Sequence, residues 1–226
     1  MTVMRYSFLP ALVLLAACAA PAPRPGAILA IGDSVMAWNG GAGIPEAAAA
    51  ALDRPVHDAS RSLAKVVQPN AALSLAGFDV ARQWERNAGP WAWVLLAGGG
   101  NDVRAACATP REAAALDALV AEDLTGAIPA LVARIRAAGP RVALVGYYDD
   151  ANAAPTAFTP CQPLFDRMNA RLARLAARDE GVVFLDAGEV IAPGDLGLYA
   201  PDRIHPSPEG SRRIGAALAA RMRAAE

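Results

Sequence analysis

Residues 27–34, AILAIGDS, determine how the rest of the chain is interpreted. An apolar run that stops at Gly32, Asp33 and Ser34 predicts a buried strand that ends in a sharp turn. Open parallel sheets bind their ligands in the crevice beyond the carboxyl ends of the strands. A serine at that edge is therefore a candidate nucleophile. Because Gly-Asp-Ser is also an ordinary turn sequence, this interpretation needs support from other parts of the chain.

Four more apolar runs are typical of strands, and helical patterns separate most of them. This alternation predicts a parallel sheet with helices on both faces and with every carboxyl strand end at one edge. A glycine-rich loop is expected after Ser34, and a helical pattern between residues 111 and 138 is expected to kink or divide at Gly126 and Pro129. The five predicted strands are 27–31, 56–59, 93–97, 141–146 and 182–185.

The length and composition of the chain fit one α/β domain. Its 226 residues can bury a substantial core, and 54% hydrophobic with 19% charged residues is typical of a folded protein. The net charge of -1 gives no reason to expect nucleic-acid binding, which needs a basic surface. Two histidines, His57 and His205, are too few for a typical zinc site, so no metal or other cofactor is expected.

The first residues are typical of a targeting segment. Arg5 precedes an apolar stretch that is too short to span a bilayer, which predicts a signal peptide at 1–17. Leu-Ala-Ala-Cys at 15–18 resembles the lipobox of bacterial lipoproteins, in which the cysteine is lipidated after cleavage just before it. Cys18 and a Pro/Ala tether then occupy 18–26, ahead of a domain at 27–226. The alternative is an ordinary secretory signal cleaved near Ala20.

Export would place the other two cysteines in an oxidising compartment. Cys107 follows the third predicted strand and Cys161 follows the fourth, so both lie in loops at the same edge of the sheet. An even pair in such a compartment can form a disulfide. Two unpaired thiols are the alternative, because side-chain direction cannot be derived from the sequence.

Two further stretches carry residue types that suit acyl transfer. The third strand runs into GGGND at 98–102, where Asn101 can present an amide donor to a developing oxyanion. Asp202 precedes His205 by three residues, so one turn can bring the carboxylate against the imidazole. Each pattern also occurs without function, the first as an Asn-Asp turn and the second by chance. His57, beside Asp58 at a strand end, is interpreted as a structural or rim residue.

Together, GDS at 32–34, GGGND at 98–102 and Asp202-x-x-His205 resemble blocks I, III and V of the SGNH/GDSL hydrolase family. The resemblance implies a flavodoxin-like three-layer α/β/α fold with a five-stranded parallel sheet, and hydrolysis of carboxylic esters and thioesters through an acyl-serine. It also implies roles for four residues. Ser34 would be the nucleophile, His205 the general base and Asp202 its partner, while the Asn101 amide and the Ser34 N–H would stabilise the oxyanion.

One block departs from the family pattern. After the second strand the family has Asn-x-x-x-Ser-Gly, and the glycine N–H is a third oxyanion donor. This chain has DASRSL at 58–63, which places Leu63 at the glycine position. Leucine resists positive φ, and its side chain could crowd the crevice. Either Leu63 adopts a compatible conformation, or a neighbouring residue supplies the donor.

The expected protein is an extracytoplasmic serine esterase, anchored to a membrane only through lipid on Cys18. Its expected substrates are small acyl esters, acylated glycans or lipids, and no oligomeric state is predicted. A thioesterase or lysophospholipase is an alternative within the same mechanism. An inactive lipoprotein that binds an acylated ligand is an alternative of another class, suggested by the departure at Leu63.

Overall fold

A computed structural model describes residues 26–226, and a five-stranded parallel sheet forms its centre. The strand order is β2-β1-β3-β4-β5, the order of flavodoxin-like folds. The predicted sheet is therefore confirmed. The signal peptide predicted at 1–17, the lipidation site Cys18 and the tether up to residue 25 lie outside the described residues. The strands are β1 (Ile28–Gly32), β2 (Val56–Asp58), β3 (Trp93–Ala97), β4 (Arg141–Val145) and β5 (Val182–Leu185).

Helices cover both faces of the sheet and give the three-layer α/β/α architecture. On one face α2 and α9 pack against each other, so closely that a Cβ on Gly215 would lie 2.5 Å from the Cβ of Ala47. On the other face α4, α7 and α8 pack on β1, β4 and β5. The helices are α1 (Ser34–Ala37), α2 (Ile44–Leu52), α3 (Ala71–Leu75), α4 (Val80–Asn87), α5 (Gly100–Val103), α6 (Glu112–Leu119), α7 (Ala127–Ala137), α8 (Gln162–Ala176) and α9 (Pro208–Ala224).

Burial explains why the strands are continuous apolar runs. All residues of β1 and β3 are buried, because helices cover both faces of a parallel sheet. The edge strand β2 is only three residues long and is partly exposed, which explains its weak sequence signal. No helix in the described part of the chain is long and apolar enough to cross a membrane.

Two helical segments differ from expectation for local reasons. The chain forms α1 directly after Asp33 instead of a loop, because the Asp33 carboxylate accepts the Val35 N–H and caps the helix. The pattern at 111–138 divides into α6, which ends at Leu119, and α7, which begins directly after Gly126, a residue with a φ of 120°. Pro129 does not kink it, since it lies in the first turn of α7, where backbone N–H groups have no intrahelical acceptor.

A disulfide connects the two loops at the carboxyl edge of the sheet. Cys107 and Cys161 are joined with their Cα atoms 4.9 Å apart and a sequence separation of 54. Closing a loop of this length reduces the entropy of the unfolded chain by an amount equivalent to about 4 kcal/mol in the chain-entropy account. The bond ties the segment that follows α5 to the residue that precedes α8.

Candidate active site

The predicted site residues lie where the strand order reverses. Ser34 follows β1 and Asn101 follows β3, which are neighbours in the sheet although β2 separates them in sequence. This reversal opens a crevice at the carboxyl edge. Ser34, Asn101 and His205 line one cavity there.

The turn that presents Ser34 requires glycine and is fixed to the next strand. Gly32 has a φ of 150°, and a Cβ there would lie 2.2 Å from the carbonyl oxygen of Ala97. The Asp33 N–H donates to that same oxygen at 3.2 Å. The buried amide of Gln83 holds the other side: Oε1 accepts the Gly32 N–H at 2.7 Å, and Nε2 donates to the Gly32 carbonyl at 3.1 Å. The nucleophile turn therefore has little conformational freedom.

A buried hydrogen-bond chain joins the turn after β1 to the turn after β3. The Tyr147 hydroxyl donates to Asp33 Oδ2 at 2.5 Å and accepts the Gly100 N–H at 2.7 Å. Burial raises the pKa of Asp33 to about 6, although the bond from Tyr147 opposes that shift. Burial, reinforced by the Asp33 charge, raises the pKa of Tyr147 well above its ordinary value, so Tyr147 remains a donor.

Of the three residues expected to stabilise the oxyanion, Ser34 and Asn101 line the cavity, and Leu63 lies in the loop that Asn101 contacts. Ser34 is the first residue of α1, and within the described residues its N–H has no recorded acceptor. Asn101 Nδ2 donates one hydrogen to the Ala64 carbonyl at 3.1 Å, which leaves the second hydrogen free. Leu63, next to Ala64, has a φ of 68° and a side chain that is 66% exposed. Leu63 therefore adopts the left-handed backbone conformation that favours glycine, and its side chain is exposed to solvent.

A second carboxylate holds the loop that carries Leu63. Asp102 accepts the N–H groups of Val66 at 3.1 Å and Val67 at 2.7 Å. Burial raises the pKa of Asp102 to about 6 against these two bonds. With the bond from Asn101 to Ala64, the 98–102 segment thus fixes the loop at 63–67.

His205 and Asp202 are in direct contact. His205 Nδ1 lies 2.5 Å from Asp202 Oδ2, while Asp202 Oδ1 accepts the backbone N–H groups of Ile204 at 3.1 Å and His205 at 3.0 Å. Burial by itself would raise the pKa of Asp202, but the hydrogen bonds from His205 and Ile204 outweigh it, so the pKa is lowered. An ionised Asp202 holds Nδ1 as the protonated nitrogen and leaves Nε2 free to accept a proton.

Two residues at the end of α1 hold the histidine loop. The indole of Trp38 stacks on the His205 ring with centroids 3.9 Å apart and planes 9° apart. The Trp38 N–H caps α1 by donating to the Ser34 carbonyl at 2.9 Å. Asn39 Nδ2 donates to the Pro206 carbonyl at 3.0 Å and to Ser211 Oγ at 2.9 Å. One short helix thus carries Ser34 at its start and a contact to His205 at its end.

Sequence reasoning did not identify Trp38, Asn39, Gln83 or Tyr147 as site residues. The signal that could have identified Tyr147 is its position directly after a predicted strand, at the same sheet edge as Ser34. His57 lies outside the cavity, exposed and 3.1 Å from Asn87 Oδ1, in agreement with its interpretation as a rim residue. Among residues 26–226, no three His, Cys, Asp or Glu side chains are grouped as a metal site.

The chain matches the GDSL-like lipase/acylhydrolase family over residues 30–213. It belongs to that family. Solved structures with the same fold include an aryl esterase from M. smegmatis, with a TM-score of 0.65, 18% identity, and coverage of 88% of this chain and 99% of that one. Another is a catalytic mutant of an acetylxylan esterase from Geobacillus stearothermophilus. Its TM-score is 0.60 at 19% identity, and the match covers 87% of this chain and 93% of that one. No curated protein matches the sequence.

The buried carboxyl of Asp33 makes the stability of this GDSL-family chain depend on pH. Its pKa is about 6 in the folded protein against an ordinary 3.8, so the folded state binds this proton more tightly than the unfolded state. The free energy of unfolding therefore falls as pH rises through this interval, by up to about 3 kcal/mol. Asp33→Asn removes the contribution.

Urea unfolding of wild type and Asp33→Asn from about pH 3 to about pH 8 measures the effect. The difference in unfolding free energy should change between about pH 4 and about pH 6 and stay flat above about pH 7. A difference that is the same at every pH would contradict the assignment of the raised pKa to this buried group.

Proposed function

We propose that the chain is a serine hydrolase that cleaves carboxylic esters through an acyl-serine intermediate. One cavity is lined by Ser34, Asn101 and His205, which are far apart in the sequence, and this observation supports the proposal most directly. A nucleophile, a base oriented by a carboxylate and an amide donor are the groups that acyl transfer needs.

In the proposed mechanism, His205 Nε2 accepts the Ser34 hydroxyl proton as Oγ attacks the acyl carbon. The tetrahedral intermediate collapses to the acyl-serine, and the leaving alcohol takes the proton from His205. A water molecule then attacks the acyl carbon while giving a proton to the same nitrogen, and the acid leaves as Ser34 regains its proton. Asp202 stays ionised and stabilises the imidazolium that forms in each step.

The oxyanion would be held by the Ser34 N–H, the Asn101 amide and the Leu63 N–H. The positive φ of Leu63 supports its part in this set, because it gives leucine the left-handed conformation that favours glycine. It also removes the reason to prefer an inactive acyl-binding protein, since the exposed Leu63 side chain does not fill the cavity. Each donor in such a set is worth about 3–4 kcal/mol of transition-state stabilisation.

Ser34→Ala tests the nucleophile. The variant should lose hydrolysis of 4-nitrophenyl acetate by at least about a thousandfold and should not be labelled by a serine-directed phosphonate, as mass spectrometry of the intact protein can measure. Ser60→Ala is the matched control, because Ser60 follows the neighbouring strand β2 and its buried hydroxyl has no hydrogen-bond partner among residues 26–226. That variant should keep wild-type rates and labelling. Near-wild-type turnover in Ser34→Ala would refute the mechanism.

Trp38 is proposed as a positioning residue for His205. Its ring covers one face of the imidazole, and Asn39 beside it fixes the backbone at Pro206. Loss of this stacking allows the imidazole to leave the position from which it reaches the Ser34 hydroxyl, and small misplacements of this kind are costly. Substrate contacts would remain.

Trp38→Ala should therefore lower kcat about 10- to 100-fold with little change in KM, while Trp38→Phe should restore most of kcat. Trp91→Ala is the control, because Trp91 stacks on the rim histidine His57 with ring centroids 6.0 Å apart. It should leave both constants unchanged. A rise in KM with unchanged kcat, or a kcat that stays low in Trp38→Phe, would contradict the positioning role.

Export and lipidation at Cys18 are proposed on the sequence pattern at 15–18. The start of β1 lies at the amino edge of the sheet and Ser34 at the carboxyl edge, about 17 Å away along the five-residue strand. A tether that enters at Gly26 would therefore join the domain at the sheet edge opposite the proposed catalytic edge.

Fractionation of cells that express the chain tests the anchor. Wild type should sediment with membranes, and Cys18→Ser should move to the soluble fraction. Equal membrane association of both forms would exclude lipidation at Cys18.

A further inference from the structure

Tyr148 has a buried hydroxyl that the mechanism above does not use. It follows β4, its side chain is 8% exposed, and it lines the same cavity as Ser34 and His205. Within the described residues its hydroxyl has no hydrogen-bond partner. Buried hydroxyls are nearly always paired, so the Tyr148 hydroxyl, which lines the cavity of Ser34, is a candidate donor to a ligand bound there.

The other described tyrosines show that this is a particular property of Tyr148. The Tyr147 hydroxyl is bonded to Asp33 and Gly100, and the Tyr199 hydroxyl donates to the Asp149 carbonyl at 2.8 Å. Tyr199 packs edge-on against Tyr148 with ring centroids 6.0 Å apart but does not line the cavity. It therefore provides a matched comparison.

The surroundings of the Tyr148 hydroxyl keep it protonated. Burial raises its pKa well above the ordinary value, and Tyr199 adds to this effect. The negative charges of Asp33, Asp202 and Asp150 raise the pKa further. The hydroxyl therefore stays protonated at neutral pH, so it can donate a hydrogen bond to an acceptor atom of a ligand.

The size and charge of the cavity restrict what can enter. Its enclosed volume is small, about 30 Å³, which favours a short acyl group over a long one. Asp33 and Asp150 are among its lining residues, and none of the lining residues is Lys or Arg. Arg104 lies over the Phe158 ring, 5.9 Å from its centroid, and is not part of the lining. An anionic acyl group would be repelled here. The apolar wall consists of Val35, Phe158, Phe165 and Ile204.

We propose that Tyr148 is a substrate-binding residue that donates a hydrogen bond to an oxygen of the ester bound at Ser34, in a cavity that selects short, uncharged acyl groups. This proposal rests on the esterase function proposed above. Because Tyr148 lines the same cavity as Ser34, the acceptors that an ester bound at Ser34 would offer it are the two ester oxygens.

Tyr148→Phe separates a binding role from a structural one. Because the lost hydroxyl has no partner in the part of the chain that the structure describes, the melting temperature should stay equal to that of wild type or rise. The value of kcat/KM for 4-nitrophenyl acetate should fall about tenfold. Tyr199→Phe should have a lower melting temperature, because it loses the hydrogen bond to the Asp149 carbonyl. Its kcat/KM should stay within about threefold of wild type.

Wild-type protein alone tests the selection by size and charge. Among 4-nitrophenyl esters, kcat/KM should decrease steadily from acetate to hexanoate, and the singly charged succinate monoester should react at least about tenfold more slowly than the neutral butyrate. A preference for hexanoate, or equal rates for succinate and butyrate, would overturn the selection.

The outcomes distinguish the two proposals. If wild type hydrolyses none of these esters and Ser34 is not labelled by the phosphonate, the esterase function itself fails. If wild type is active and labelled but Tyr148→Phe keeps its full kcat/KM, or loses activity only together with several degrees of melting temperature, the role of Tyr148 is overturned.

Discussion

The close approach of the turn after β1 to the end of β3 is the constraint on which the rest of the site depends. Gly32 lies so near the carbonyl of Ala97 that a side chain cannot be placed there. Asp33, Tyr147 and Gly100 then bridge the same two turns with buried hydrogen bonds. Because parallel strands in the order 2-1-3-4-5 leave a crevice between β1 and β3, this contact sets where the nucleophile and the amide donor meet.

The histidine loop reaches that crevice from the far end of the chain and is held by α1. Trp38 stacks on His205, and Asn39 bonds the carbonyl of Pro206. Nucleophile and base are therefore positioned by one short segment, formed by α1, whose N-cap is Asp33, and the two residues that follow it. A change in the buried Asp33–Tyr147 pair is expected to disturb the base as well as the nucleophile.

Much of this could be predicted from the sequence, and the remainder depends on contacts between distant segments. Buried strands are apolar runs, so the sheet could be predicted from the order of apolar segments along the chain. The contact between Asp202 and His205 could be predicted because the two residues are close in sequence. The roles of Gln83 and Trp38 could not be predicted, because each depends on a partner more than 50 residues away along the chain. The helix α1 was missed since a single cap at Asp33 outweighs the glycines that follow. The backbone of Leu63 could not be predicted from the motif, because leucine here has a positive φ, which normally favours glycine.

A crystal structure of the protein after reaction with a small methylphosphonate ester would test the central claim most directly. The account predicts phosphorus bonded to Ser34 Oγ, with its negatively polarised oxygen within hydrogen-bond distance of the Ser34 N–H, the Asn101 amide and the Leu63 N–H. His205 Nε2 should lie within reach of Oγ or of the leaving-group oxygen. Phosphorus on any other residue, or His205 turned away from Ser34 in the adduct, would contradict it.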